Sequence, residues 1–246
     1  MVDRLFSDAD LAALYDGFCP RALRADFDFY LPMVMAAEAV LDVGCGTGAL
    51  LHEARAAGHG GRLCGLDPAG GMLDQARQRQ DIEWVQGDLG AVAWKDQFDL
   101  VIMTGHAFQV LVEDQELRSA LAAVGQALKP GGRFAFETRN PTARAWEAWT
   151  PDRVEEGVDT NGATVRMVRQ VDGPFDGRVV SFSHTFTSSS WGQPKVSRST
   201  LRFLDAKILT GFLTDAGLTI EAQYGNWGRQ PMSDAAPEII TVAGRR

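Results

Sequence analysis

Gly44, Gly46 and Gly48 fall at every second position in VLDVGCGTGAL, directly behind an apolar run, 40–43, that carries Asp42. Glycine permits positive φ and lets a ligand approach bare backbone. A helix that starts behind such a turn adds free N–H groups and the positive end of its dipole, which suit an anionic ligand group. Binding a nucleoside-bearing cofactor is the chemistry this stretch offers. Cys45 stands inside the turn with no base near it in sequence. It reads as a small filler rather than a nucleophile.

The elements around the turn alternate. Strands are expected at 40–43, 62–66, 82–86, 98–103 and 133–137, with helices at about 49–57, 72–79 and 114–128 between them. In the last helix Leu117, Leu121, Val124 and Leu128 recur at helical spacing, and Lys129-Pro130-Gly131-Gly132 reads as a helix stop and turn. This rhythm predicts a doubly wound, Rossmann-like α/β sheet of seven mostly parallel strands, with ligands at the carboxyl ends. Residues 218–224 and 239–243 have only a loop between them, so the final strand must run antiparallel.

Two segments break the rhythm. Residues 1–36 read as helical, with Ser7 capping a helix through Tyr15, a restart at Pro20 and an aromatic cluster at Phe27, Phe29, Tyr30 and Leu31. Residues 164–171, 178–188 and 194–203 have β-type composition and turn signals between them. They predict an antiparallel sheet of about three strands inserted after the fifth core strand, with Phe182, His184 and Phe186 on one face. It serves either as a lid over an active site or as a surface for a homodimer. The organisation expected is a helical cap at 1–36, a cofactor-binding core at 37–150, the insertion at 151–204 and completion of the core sheet at 205–246.

The chain has 246 residues, 45% of them hydrophobic, enough for one large core. Net charge is −8, which disfavours a nucleic-acid partner. Cys19, Cys45 and Cys64 lack metal-type spacing, so no metal is expected and reduced thiols in a cytoplasmic protein are the default. MVDRLFSDAD does not read as a signal peptide, and no stretch approaches the roughly 18 apolar residues that span a bilayer.

The glycine turn alone leaves two cofactors open. Ala49 satisfies the dinucleotide fingerprint, which keeps an NAD(P)-dependent oxidoreductase as the alternative, although no Tyr-x-x-x-Lys pair follows the fourth strand. The company of the turn is more specific. VLDVGCGTG resembles the first signature of class I S-adenosylmethionine (SAM)-dependent methyltransferases. GLDPAGGMLDQAR is similar to their second, QGDLG to their third and ALKPGGRFAFE to their fifth-strand entry. Residues 218–243 resemble their closing hairpin. The insertion is placed as in small-molecule methyltransferases, including amino-sugar N-methyltransferases.

That resemblance implies SAM as cofactor, S-adenosylhomocysteine as product, and methyl transfer to nitrogen or oxygen of a small molecule. Gly44, Gly46 and Gly48, with Cys45 among them, would leave room for the methionine part, and Asp42 would orient it or accept from its ammonium. Asp67 would accept the ribose hydroxyls. Pro68 and Met72 would flank the adenine, Asp88 would take its exocyclic amine and the Leu89 backbone a ring nitrogen. Thr104 and Gly105 would lie near the methyl group, with Tyr15 or Tyr30 closing over the cofactor. His106, two residues beyond Thr104, is the candidate general base. Arg139, Asn140, Arg144, Trp146 and Trp149 would line the substrate entrance, suiting a planar or acidic substrate. Trp191, Arg202, Trp227 and Arg229 would extend that wall, whereas His184 reads as a core histidine. TGHAF stands where base-modifying methyltransferases carry Asn-Pro-Pro-Tyr, which again disfavours a nucleic-acid substrate.

Overall fold

A computed structural model describes residues 2–245. Its larger sheet contains β1 (Ala39–Val43), β2 (Arg62–Asp67), β3 (Glu83–Gln86), β4 (Phe98–Met103), β5 (Leu128–Arg139), β10 (Leu218–Tyr224) and β11 (Glu238–Arg245). Their order is β10-β11-β5-β4-β1-β2-β3. The strands from β3 to β5 pair in parallel, and β11 runs antiparallel to both β5 and β10. The central strand β1 is buried at all five positions, as a parallel strand covered on both faces must be.

Alternate residues of these strands enter two separate cores. Leu41, Val101, Phe134 and Phe136 pack with Leu117, Leu121 and Val124 of α6 (Asp114–Ala127) and with Leu209 and Phe212 of α7 (Ala206–Asp215). Val40, Leu100, Ile102 and Ala135 face Phe27, Tyr30 and Val34 of α3 (Ala25–Ala36) and Leu50, Leu51 and Ala54 of α4 (Ala49–Ala56). The aromatic cluster near residue 30 therefore packs on the core sheet. The strand order reverses between β1 and β4, so the carboxyl ends of β1, β2 and β4 surround one crevice.

The helix ends depart from the sequence reading. Ser7 does not cap a helix through Tyr15. It ends α1 (Arg4–Ser7), and Asp8 caps α2 (Ala9–Phe18) by accepting from the Asp10 and Leu11 N–H groups. An aspartate in extended conformation does this as well as a serine. The helix expected at 72–79 is α5 (Gly70–Ala76). The Lys-Pro-Gly-Gly segment does not separate helix from strand. It lies within β5 as a bulge, where the pairing shifts from Phe98–Leu128 to Leu100–Arg133 and Gly131 takes φ +79°.

The second sheet has four strands, β6 (Val154–Val158), β7 (Thr164–Val171), β8 (Val179–Ser188) and β9 (Lys195–Arg202), in that order and all antiparallel. The sequence reading missed β6 because VEEGV is an acidic, exposed edge strand without a buried face. Val180, Phe182, His184 and Phe186 are buried on one face of β8, as the alternation predicts. The N-terminal helices tie this sheet down. The Leu5 N–H donates to Ser197 Oγ, Ser199 Oγ donates to Asp3, and the Lys195 ammonium donates to Asp8 and Asp10.

Phe134 stacks on Phe136 at 4.6 Å and is fully buried. Phe134→Ala is expected to cost about 3–5 kcal/mol of unfolding free energy in urea titrations.

Candidate functional site

The crevice is built on the turn that leaves β1. Gly44, Gly46 and Gly48 take φ of +73°, +56° and +74°. The surroundings of the three differ. A Cβ on Gly44 would lie 2.8 Å from the Ala107 side chain, and one on Gly48 2.3 Å from the Trp84 ring, whereas a Cβ on Gly46 would meet open space. Two of the glycines thus answer to the protein's own packing. Cys45 also packs as filler: burial pushes its thiol well above the usual range, and its Sγ lies 2.8 Å from where a Cβ on Gly65 would sit.

Asp67, at the end of β2, holds the turn in place. One carboxylate oxygen accepts from the Gly46 N–H at 2.8 Å and the other from the Ala69 N–H at 2.8 Å. Burial raises its pKa, against those two bonds. Asp42 lies beneath, 1% exposed, and its Oδ1 has no partner. Burial pushes its pKa to about 8, with Arg24 opposing and Asp67 and Glu137 adding to the rise. Thr47 Oγ1 donates to Asp16 at 2.8 Å, which fastens α2 across the turn beside Tyr15. Tyr15 is partly exposed and packs on Met72 and Ala69.

Beyond β4, Thr104 is buried, and Gly105 and His106 both take left-handed φ, +66° and +64°. A fully buried carboxylate sustains that geometry. Glu137 Oε1 accepts from the His106 N–H at 2.7 Å, and Oε2 accepts from the Tyr30 hydroxyl at 2.5 Å. Burial raises the Glu137 pKa. His106 Nε2 lies 3.0 Å and 3.1 Å from the two carboxylate oxygens of Glu238 on β11. Burial, then Arg139, lowers the His106 pKa to about 3, while burial raises that of Glu238 to about 7. The His106 ring is neutral at neutral pH, within hydrogen-bond reach of the Glu238 carboxyl group.

Sequence reasoning missed Glu137 and Glu238. Glu238 is 132 positions from its histidine, and no motif spans that distance. The available signal was an acid at the end of an apolar strand, in RFAFE, and one opening EIITVA. Tyr30 is corrected: it has no exposed surface, so it positions Glu137 and does not close over a ligand.

The remaining residues separate into two groups. Arg139 lies opposite Glu238 in the β5–β11 ladder, and its guanidinium is 5.4 Å from the Trp149 ring. Arg144 and Trp146 do not join it. Arg144 is exposed and pairs with Glu147, and Trp146 packs on Phe175 and Phe203 at 4.5 and 4.6 Å. Both border an outer groove with Pro141 and Ile208. Asn140 is buried and donates to the Ala236 carbonyl. Arg202 pairs with Asp114, Lys195 lies over the Trp191 ring, and Trp227 and Arg229 pack against Phe29, with Trp227 also against Tyr30. Met72 and Leu89 are buried, Pro68 is exposed, and the exposed Asp88 carboxylate accepts from the Gly90 and Ala91 N–H groups.

A glycine turn, a cluster of acids and a strand-order reversal meet in one crevice of a Rossmann-like fold. The comparisons narrow this. Residues 40–132 match the family described as the methyltransferase domain. A 105-residue stretch is 33% identical to the cypemycin N-terminal methyltransferase of a Streptomyces species, covering 42% of each chain. Another of 101 residues is 42% identical to the 2-phytyl-1,4-naphtoquinone methyltransferase of Thermosynechococcus vestitus, covering 39% of this chain and 44% of that one. The matched stretches thus span less than half the length of these relatives. An amino pentose methyltransferase from Micromonospora echinaspora, solved with SAM bound, superposes with a TM-score of 0.67 at 24% identity over 93% of this chain and 94% of that one. The family match covers residues 40–132, and the likeness to the solved structure is one of fold.

The two kinds of glycine separate experimentally. Gly48→Ala, with both a ring contact and a positive φ to violate, is expected to lower the melting temperature more than Gly46→Ala, whose cost is the left-handed backbone alone, about 1–2 kcal/mol. Differential scanning calorimetry of the two variants checks this ordering.

Proposed function

We propose that the chain transfers a methyl group from SAM to nitrogen or oxygen of a small molecule and releases S-adenosylhomocysteine. The observation that carries this is Asp42: a buried carboxylate with an unpartnered oxygen, under a glycine turn with open space at Gly46. An orphaned buried acid is costly unless a ligand pairs with it. SAM has the cationic ammonium to do so. When bound, it supplies a methyl carbon activated by the sulfonium.

Asp42 would accept from the ammonium of SAM, and Thr104 and Gly105 would border its methionine end. Asp67, kept in place by two N–H groups, retains lone pairs for ribose hydroxyls. Pro68, Met72, Asp88 and Leu89 border the adenine side, and Tyr15 stands at the mouth. His106 and Glu238 handle the acceptor's proton. With Nε2–H directed at Glu238, Nδ1 keeps the free lone pair, and the carboxylate stabilises the imidazolium that forms. The inserted sheet excludes water from the nucleophile. The net charge of −8 supports a small-molecule acceptor over a nucleic acid. None of the described helices is long and apolar enough to cross a membrane.

Isothermal titration calorimetry is expected to give micromolar binding of SAM and S-adenosylhomocysteine. Absence of binding at millimolar cofactor, with NAD binding instead, overturns the reading. Burial holds Asp42 protonated up to about pH 8, and a cationic ligand favours its ionised form. Binding therefore expels a proton, and affinity for S-adenosylhomocysteine should rise by more than about tenfold from pH 6 to 7.5. Asp42→Asn is expected to flatten that profile.

An acceptor found by screening metabolite extracts with methyl-labelled SAM allows the base to be tested. His106→Ala is expected to lower kcat by roughly 10²–10⁴-fold with cofactor affinity retained. A variant with full turnover removes His106 as base.

A further inference from the structure

The meeting line between the core sheet and the inserted sheet holds two arginines around one indole. The Arg139 guanidinium, from β5, is 5.4 Å from the Trp149 ring centre, and that of Arg169, from β7, is 5.9 Å from the same centre. Among the described residues Arg139 pairs with no carboxylate. Its Nη1 donates to the neutral amide oxygen of Gln109 at 3.0 Å, and its Nε and Nη2 make no hydrogen bond among the described residues. Gln109 is itself fixed, 1% exposed, with its Nε2 donating to the Arg202 carbonyl. Glu238, the cross-strand neighbour of Arg139, directs its carboxylate at His106 instead.

Arg169 is also incompletely matched. Its Nε donates to His184 Nε2 at 2.9 Å. That bond requires His184 to be neutral with its proton on Nδ1, and burial together with Arg169 lowers the His184 pKa to about 4. The nearest acid to Arg169 is Glu155, 3.8 Å away and half exposed. Two like charges are therefore held against one ring, one beside a neutral amide and the other beside a neutral imidazole. Burial disfavours the charged form of Arg139, Glu238 opposes that, and the like charge of Arg169 adds to it. A partner that resolves both strains is an anion, which forked guanidinium groups bind by paired N–H bonds.

We propose that Arg139 and Arg169, bracketing Trp149, bind the anionic group of the methyl acceptor, a carboxylate or a phosphate. The role as acceptor site rests on the methyltransferase reading; anion binding itself does not. The site lies beside the His106–Glu238 pair, through the Arg139–Glu238 ladder position, so an acceptor anchored there presents its nucleophile toward the base. One arginine comes from each sheet, so substrate also bridges the insertion to the core. The substrate residue that sequence reasoning did not single out is thus Arg169. Arg144 and Trp146 take no part.

The probes are benzoate and phenyl phosphate, with benzamide as the neutral counterpart. Each is titrated calorimetrically into protein saturated with S-adenosylhomocysteine, whose own binding is measured first. Benzoate or phenyl phosphate is expected to bind at least 10-fold more tightly than benzamide, the tighter of the two naming the anion. Arg139→Gln and Arg169→Gln are each expected to weaken that binding at least 10-fold while leaving the affinity for S-adenosylhomocysteine unchanged. Equal affinity for benzamide, or anion binding indifferent to both substitutions, overturns the anion site even where S-adenosylhomocysteine binds. Arginine-dependent anion binding without S-adenosylhomocysteine binding upholds the site and overturns the methyltransferase reading. If Arg139→Gln fails to fold by circular dichroism, Arg169→Gln, on the inserted sheet, decides.

Discussion

Glu137 is the charge on which the crevice depends. It is fully buried at the end of β5, yet both its oxygens are satisfied, one by the Tyr30 hydroxyl of α3 and one by the His106 N–H beyond β4. An unpaired carboxylate at such depth would be expensive, and each lost partner leaves a penalty of about 1–3 kcal/mol. The acid therefore joins three segments far apart in sequence, and it sustains the left-handed backbone at His106 on which the side chain's direction depends. The N-terminal helices are part of the site through this bond and through the Thr47–Asp16 contact.

The charges around the crevice are sorted by sign. Asp42, Asp67 and Glu137 lie at the carboxyl ends of β1, β2 and β5, where burial raises the pKa of each. That region favours a cation. The arginines stand further out, where the two sheets meet, and that region favours an anion. A cofactor that carries positive charge and an acceptor that carries negative charge would each find complementary surroundings, and the neutral His106 ring sits between the two regions. Preorganised charge of this kind is how a site positions and desolvates reactants without moving during the reaction.

The inserted sheet is fastened at both ends. Trp146, Trp149, Phe182 and Phe203 make an aromatic root beside the core sheet. Serines and a lysine of β9 hold the N-terminal helices at the other end. Because α2 also packs on α5 and reaches the glycine turn, it links that turn to the inserted sheet. The strands alternate a buried apolar face with a polar one.

The periodicity of apolar residues was enough to determine the parallel sheet, its order of helices and strands, the closing hairpin and the buried face of β8, because those follow from local burial patterns. The glycine turn, Asp42, Asp67 and His106 were legible as well, since their residue types are uncommon between a strand and a helix. Hidden from the sequence were the partners. Glu137 and Glu238 meet His106, and Arg139 meets Trp149 and Arg169, only once β11 inserts beside β5 and the second sheet folds down. Tyr30 looked like a ligand contact and is a buried donor, and Gly44 and Gly48 answer to Ala107 and Trp84. Side-chain identity and spacing report what a residue is able to do. Which hydrogen-bond partner it receives, and so what its charge is, depends on contacts across long sequence separations that only the packed structure brings together.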